Sequence, residues 1–232
     1  MLAGVVKSFR LIGDRAQAHL SMPDDSSSAA GADSIVAVLR SDYERWTRWL
    51  VGIIAYMIAV IGILFSVALM AFLVQSEGPA LERMVGVVTV VIALGMTIGG
   101  AWVLAKLWLS GRRMLRTAVA WMRLPYTRGV RARTASGWLS ARTTNLEPRI
   151  FARILTSSLS LLVAISGIAV FIRDVVTGEI AGDMGYLAVA MLLIGLVSLA
   201  AGLAQLGGVM RLVSGVAEGD PLWVFLRGKN RT

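Results

Sequence analysis

The chain has 232 residues, of which 56% are hydrophobic and 16% charged, with a mean hydropathy of +0.72 and a formal net charge of +9. Soluble domains carry about a quarter charged residues, so this composition excludes disorder and argues against a soluble globular fold. There is no cysteine and one histidine, His19, which excludes disulfide frameworks, thiolate metal sites and cysteine nucleophiles.

Residues 1–20 set Leu2, Val5, Val6, Phe9, Ile12 and Leu20 among Lys7, Arg10, Asp14 and Arg15. That pattern predicts an N-terminal amphipathic helix, either interfacial on a leaflet or packed on the protein. The same charges interrupt any continuous apolar leader. Residues 21–33, SMPDDSSSAAGAD, have the composition of a flexible linker. Ser41 and Glu44 have capping-box spacing, which predicts that the first long helix begins about two turns before its apolar run. Trp46 and Trp49 would then sit at headgroup level.

Four runs lack Asp, Glu, Lys, Arg and His: residues 49–74, 84–105, 154–172 and 184–210. Crossing a hydrocarbon core of about 30 Å takes roughly 20 helical residues, and each run reaches that length. All five prolines lie outside these runs, and Pro125 is expected to stop the extension of the second helix. The predicted fold class is therefore all-α: a polytopic integral membrane protein with four transmembrane helices as two hairpins, plus the N-terminal amphipathic helix. The hairpins cover residues 34–110 and 151–210, separated by an Arg-rich segment, 111–150, and followed by a tail, 211–232.

Twenty-one of the 23 Lys and Arg residues lie in 1–48, 106–153 and 211–232, against two in the connections 75–83 and 173–183. By the positive-inside rule both termini and the central segment face the cytoplasm, in a plasma (inner) membrane. The outer connections are too short for a folded domain. The halves also resemble each other weakly. Gly111-Arg-Arg-Met-Leu-Arg aligns with Gly207-Gly-Val-Met-Arg-Leu, and Pro125 with Pro221, at an offset of 96. Parallel duplication and similar composition both account for this.

Segment 111–150 carries nine arginines against one acid, Glu147, and so supplies +8 of the +9. Leu115, Val119 and Met122 repeat at helical spacing, away from Arg112, Arg116 and Arg123. Contact with anionic lipid is the leading reading for Arg112, Arg113, Arg116, Arg123, Arg128, Arg131, Arg133 and Arg142. Docking of an acidic partner or a second copy is the next. Nucleic acid is the least favoured partner, since only Trp121, Tyr126 and Trp138 are interleaved as stacking rings.

Within the runs the polar side chains are Gln205 and hydroxyls, so ion-coupled transport is disfavoured. Small-xxx-small faces occur at Gly95 and Gly99 in the second run and at Ser198, Gly202, Ala204 and Gly208 in the fourth. In the third, Thr156, Ser160, Ala164 and Gly167 share a stripe with Ser157 at its edge, which reads as helix packing or as the wall of a pore. Phosphate-loop, zinc and nucleophile-elbow motifs are absent, and no cofactor or metal is implied. The expected function is a non-enzymatic accessory or scaffold subunit that contacts membrane lipids and other membrane subunits or copies of itself. A homo-oligomeric channel is the alternative. A lipid-modifying enzyme, which would rely on Glu147, Glu218 or Asp220, is the third reading.

Overall fold

A long uncharged run leaves its backbone one way to satisfy its polar groups away from water, hydrogen bonding within a helix. The described residues of all four runs are helical in the computed structural model, which describes residues 11–21, 23, 31–75, 79–132, 147–178 and 185–220. The helices are α1 Asp14–Gln17, α2 Ala32–Tyr43, α3 Trp46–Gln75, α4 Ala80–Thr127, α5 Pro148–Thr177 and α6 Gly185–Val216, and a 3-10 turn, Ala217–Gly219, follows α6. There is no strand among the described residues. Helices α3 to α6 are long and apolar enough to cross a membrane. This is a multi-pass membrane protein. Its spans expose apolar side chains outward, with Phe65 57%, Ile98 68% and Ile165 65% exposed, the reverse of a water-soluble bundle.

Two expectations change at the helix ends. Ser41 does not cap the first span: its Oγ donates to Val38 O, 3.0 Å away, inside α2. The helix is interrupted instead at Glu44 and Arg45, and α3 starts afresh at Trp46. Pro125 does not end α4 either. It lies inside the helix, which runs on to Thr127. Termination comes from Gly129 at φ 69°, with Val130 N donating to Pro125 O at 3.0 Å and Gly129 N to Tyr126 O at 3.3 Å. Those two bonds form a Schellman motif, which uses a glycine in the left-handed region. Of the predicted N-terminal helix, residues 1–10 lie outside the described residues, and α1 covers Asp14–Gln17. In the predicted linker, Ala32 already begins α2 and is buried.

The chain divides into two units. The apolar unit comprises Leu50–Ala105 and Leu155–Ala204. Its helices approach through small residues. A Cβ built on Gly100 would stand 2.6 Å from Ala55 O and 2.9 Å from Ala59 N, and one on Gly62 would stand 2.7 Å from Thr97 N. Residue numbers rise along α3 as they fall along α4. In the same sense, Gly202 lies against Ser157 O and Leu161, Gly195 against Ala164 O and Ile168, and Gly167 against Met191 O. Close backbone approach of this kind supplies the dispersion contacts that hold helices together in lipid. Tyr56 Oη and Ser198 Oγ add a hydrogen bond of 2.7 Å between α3 and α6.

Candidate functional site

The second unit comprises the described residues of Met1–Trp49, Lys106–Ile154 and Gln205–Thr232, and it carries most of the charge. Beyond Lys106, α4 buries Met114, Leu115, Ala118, Trp121 and Leu124 on one face. They meet Ala16, Ala32, Leu39, Tyr43, Ile150, Val209 and Leu212 in a core of their own. The arginine-rich stretch of α4 is thus the polar face of an amphipathic helix.

Main-chain oxygens of the N-terminal segment receive bonds from α4: Thr117 Oγ1 reaches Leu20 O at 3.4 Å and Trp121 Nε1 reaches Ser21 O at 3.2 Å. Asp42 Oδ2 accepts from Gly13 N at 3.1 Å. Trp121 is 8% exposed, so this ring belongs to the core and offers no free face for base stacking. Sequence reasoning treated it as an interleaved aromatic; the signal for a core role was its place three residues after Ala118 on the buried face.

Two arginines that sequence reasoning only counted are central. Arg48 donates to Leu11 O at 2.5 Å, to Leu107 O at 2.6 Å and to Ser110 Oγ at 2.6 Å, so one guanidinium joins the N-terminal segment, α3 and α4. Arg153, 7% exposed, donates to Tyr43 O at 2.7 Å and lies over the Tyr43 ring at 4.4 Å. Each immediately precedes an uncharged run, a position that sequence counting assigned to topology.

The predicted arginines sort into distinct environments. Arg123 Nε lies 3.0 Å from Glu218 Oε1. Arg131 pairs with Asp33 and lies 5.9 Å from the Tyr126 ring centroid. Its hydrogen bonds hold the Asp33 carboxyl below the ordinary carboxylate value. Arg112 lies over Trp108 at 5.3 Å. Arg113, Arg116 and Arg128 are exposed, and Arg133 and Arg142 lie outside the described residues. Elsewhere Glu147 and Glu44 both pair with Arg40, and Asp42 with Arg45.

The small-residue positions divide in the same way. Gly95 and Gly99 are exposed and a Cβ on either would meet nothing within 4 Å. The α4 face that packs is Ala93, Thr97 and Gly100. Ser198 is buried, Gly202 is packed against α5, Ala204 is half-buried, and Gly208 lies against the Tyr43 hydroxyl and Leu115. On α5, Ser157 is fully buried and Gly167 is packed against α6, while Thr156 and Ser160 are half-buried. Ser160 Oγ donates to Thr156 O at 2.9 Å within its own helix.

No family model, curated protein or solved structure matches this chain. Among the described residues no three His, Asp or Glu side chains gather to hold a metal ion. What the arrangement offers chemically is hydrogen-bond donors and positive charge at one unit and apolar packing faces at the other.

Proposed function

We propose that this chain is a non-enzymatic accessory or scaffold subunit of a membrane-protein assembly, built as two helical hairpins in a plasma (inner) membrane with both termini and the arginine-bearing segment cytoplasmic. The observation that carries the reading is the contrast between glycines. Gly62, Gly100, Gly167, Gly195 and Gly202 are closed by neighbouring helices, whereas the Gly95-xxx-Gly99 face is open along α4. A small-xxx-small face left unpacked within its own chain suits association with another helix, from a second copy or a different subunit. Orientation is supported by the distribution of Lys and Arg. The hairpin reading is supported by α4 and α6 running side by side in one direction, with Gly208 against Leu115 and Gly215 against Val119 and Met122.

Purification in mild detergent with native mass measurement tests the reading. The expected result is an assembly larger than one chain, reduced to the monomer by Gly95→Leu with Gly99→Leu. A monomer throughout, or sustained coupled transport by the purified chain in liposomes, would overturn it. The pore reading draws less support, because Ser157 and Gly167 of its proposed lining are packed against α6. The enzyme reading draws less as well, since Glu147 and Glu218 are engaged with Arg40 and Arg123.

A further inference from the structure

Part of the positive charge of the arginine-bearing unit is met by its own carboxylates. Asp33, Asp42, Glu44, Glu147 and Glu218 each face an arginine. Arg112, Arg116 and Arg211 have no ion pair among the described residues. On α4, Trp108, Arg112, Arg116, Val119 and Arg123 fall within about 80° of one another, a single stripe. Val119 of that stripe touches Gly215 of α6, and Arg123 reaches Glu218 just beyond it, so the stripe borders the α4–α6 seam. At one end of the seam the protein supplies a carboxylate for its arginine. Further back, where Arg112 and Arg116 border it, no described residue does so.

Register brings the third guanidinium alongside. Leu115 Cδ1 would lie 3.5 Å from a Cβ on Gly208. From that level, at 1.5 Å per residue, Arg112 stands about 4.5 Å behind, Arg116 about 1.5 Å ahead and Arg211 about 4.5 Å ahead. Arg116 and Arg211 both repel the charge of Arg112, Arg116 the more strongly. The Nε of Arg112 is out of reach of solvent and has no hydrogen-bond partner. Three neighbouring cations, one with a buried donor that has no partner, form an arrangement that an added anion would stabilise, because a phosphate accepts bidentate guanidinium bonds and neutralises the repulsion.

We propose that Arg112, Arg116 and Arg211, beside Trp108, form a binding site for a phosphate group, seating the headgroup of an anionic phospholipid. The depth favours lipid. Arg211 directly follows Met210, the last residue of an uncharged run, and Arg112 comes two turns after Ala105, the end of another. Trp108 lies between, 43% exposed, as an interfacial ring does. The site rests on the reading of this end as facing an anionic leaflet, and it adds to that reading a defined location and ligand.

The test is native mass spectrometry on the delipidated full chain titrated with phosphatidylglycerol, with phosphatidylcholine in parallel and millimolar inorganic phosphate as competitor. Phosphatidylglycerol should bind in preference. Each guanidinium removed should weaken that binding roughly fivefold, and Arg112→Gln, Arg116→Gln and Arg211→Gln together about a hundredfold. Arg149→Gln, an exposed arginine outside the seam, should leave it unchanged. Should the triple variant not remain monodisperse, the exposed Arg116→Gln alone carries the test with its roughly fivefold loss. Displacement by inorganic phosphate assigns the site to the free anion, and resistance to displacement assigns it to the lipid; both support a phosphate site. Selectivity that survives the triple substitution, or that Arg149→Gln abolishes equally, overturns the site while leaving the lipid-facing reading. No preference over phosphatidylcholine in the unaltered protein overturns both.

Discussion

Two adjacent glycines in α4, Gly99 and Gly100, give a sharp test of how the apolar unit is packed. The same methyl group added to each should have opposite consequences. At Gly99 it enters open space, and replacing glycine by alanine in a helix gains up to about 1 kcal/mol. At Gly100 it arrives 2.6 Å from Ala55 O, 2.9 Å from Ala59 N and 3.0 Å from the Ala59 side chain. Ordinary carbon–oxygen contact is about 3.3 Å, so the two helices must part by roughly 0.7 Å or bend. Overpacking of this kind costs about 1–3 kcal/mol, which the helix-propensity gain offsets in part. The net expectation is a loss of about 1–2 kcal/mol for Gly100→Ala and none for Gly99→Ala. For a chain of this size that is a fall of about 3–6 °C in Tm for Gly100→Ala. Thermal denaturation in detergent, followed by fluorescence-detected size exclusion, reads the difference directly. Gly100→Ala as stable as the unaltered protein would refute the packing register of α3 on α4.

Two other substitutions address the polar contacts. Ser198→Ala should cost about 1 kcal/mol by leaving the Tyr56 hydroxyl without its 2.7 Å partner, and a double-mutant cycle with Tyr56→Phe should give a coupling of about 0.6 kcal/mol, with no coupling arguing against the bond. Arg48→Lys keeps the charge but loses the planar fork that reaches Leu11 O, Leu107 O and Ser110 Oγ, so chemical or thermal unfolding should show a loss of about 2 kcal/mol, and unchanged stability would mean that this guanidinium does not tie the three segments together.

The spans were legible because the cost of charge in hydrocarbon writes itself directly into sequence. The uncharged run 49–74 lies within α3, Trp46–Gln75, and 154–172 lies within α5, Pro148–Thr177. Faces were harder to read than spans. In α4 the sequence offers two small-residue faces, Gly95 with Gly99 and Ala93 with Thr97 and Gly100, about 150° apart around the helix. Periodicity gives both, and only the position of α3 decides which is closed. The helix interruption after Tyr43 was obscured for a similar reason: Ser41 and Glu44 have the spacing of a cap, but a serine inside a helix bonds as readily to a carbonyl three residues back. Least visible was the core of the arginine-bearing unit. Its members come from five separate stretches, and no local pattern announces that Leu20 and Ser21 will lie along Thr117 and Trp121.

That dispersal dictates an order of events during synthesis. The core of the charged unit draws on Ala16, Leu39, Met114, Ile150 and Leu212, so the wall contributed by α6 is synthesised after the others. The first, second and third spans can insert in turn, yet Met114 and Leu115 stay without the cover of Val209 and Leu212 until the fourth has arrived. A chain released early would therefore present an apolar strip on an otherwise arginine-coated helix, a form open to aggregation or proteolysis.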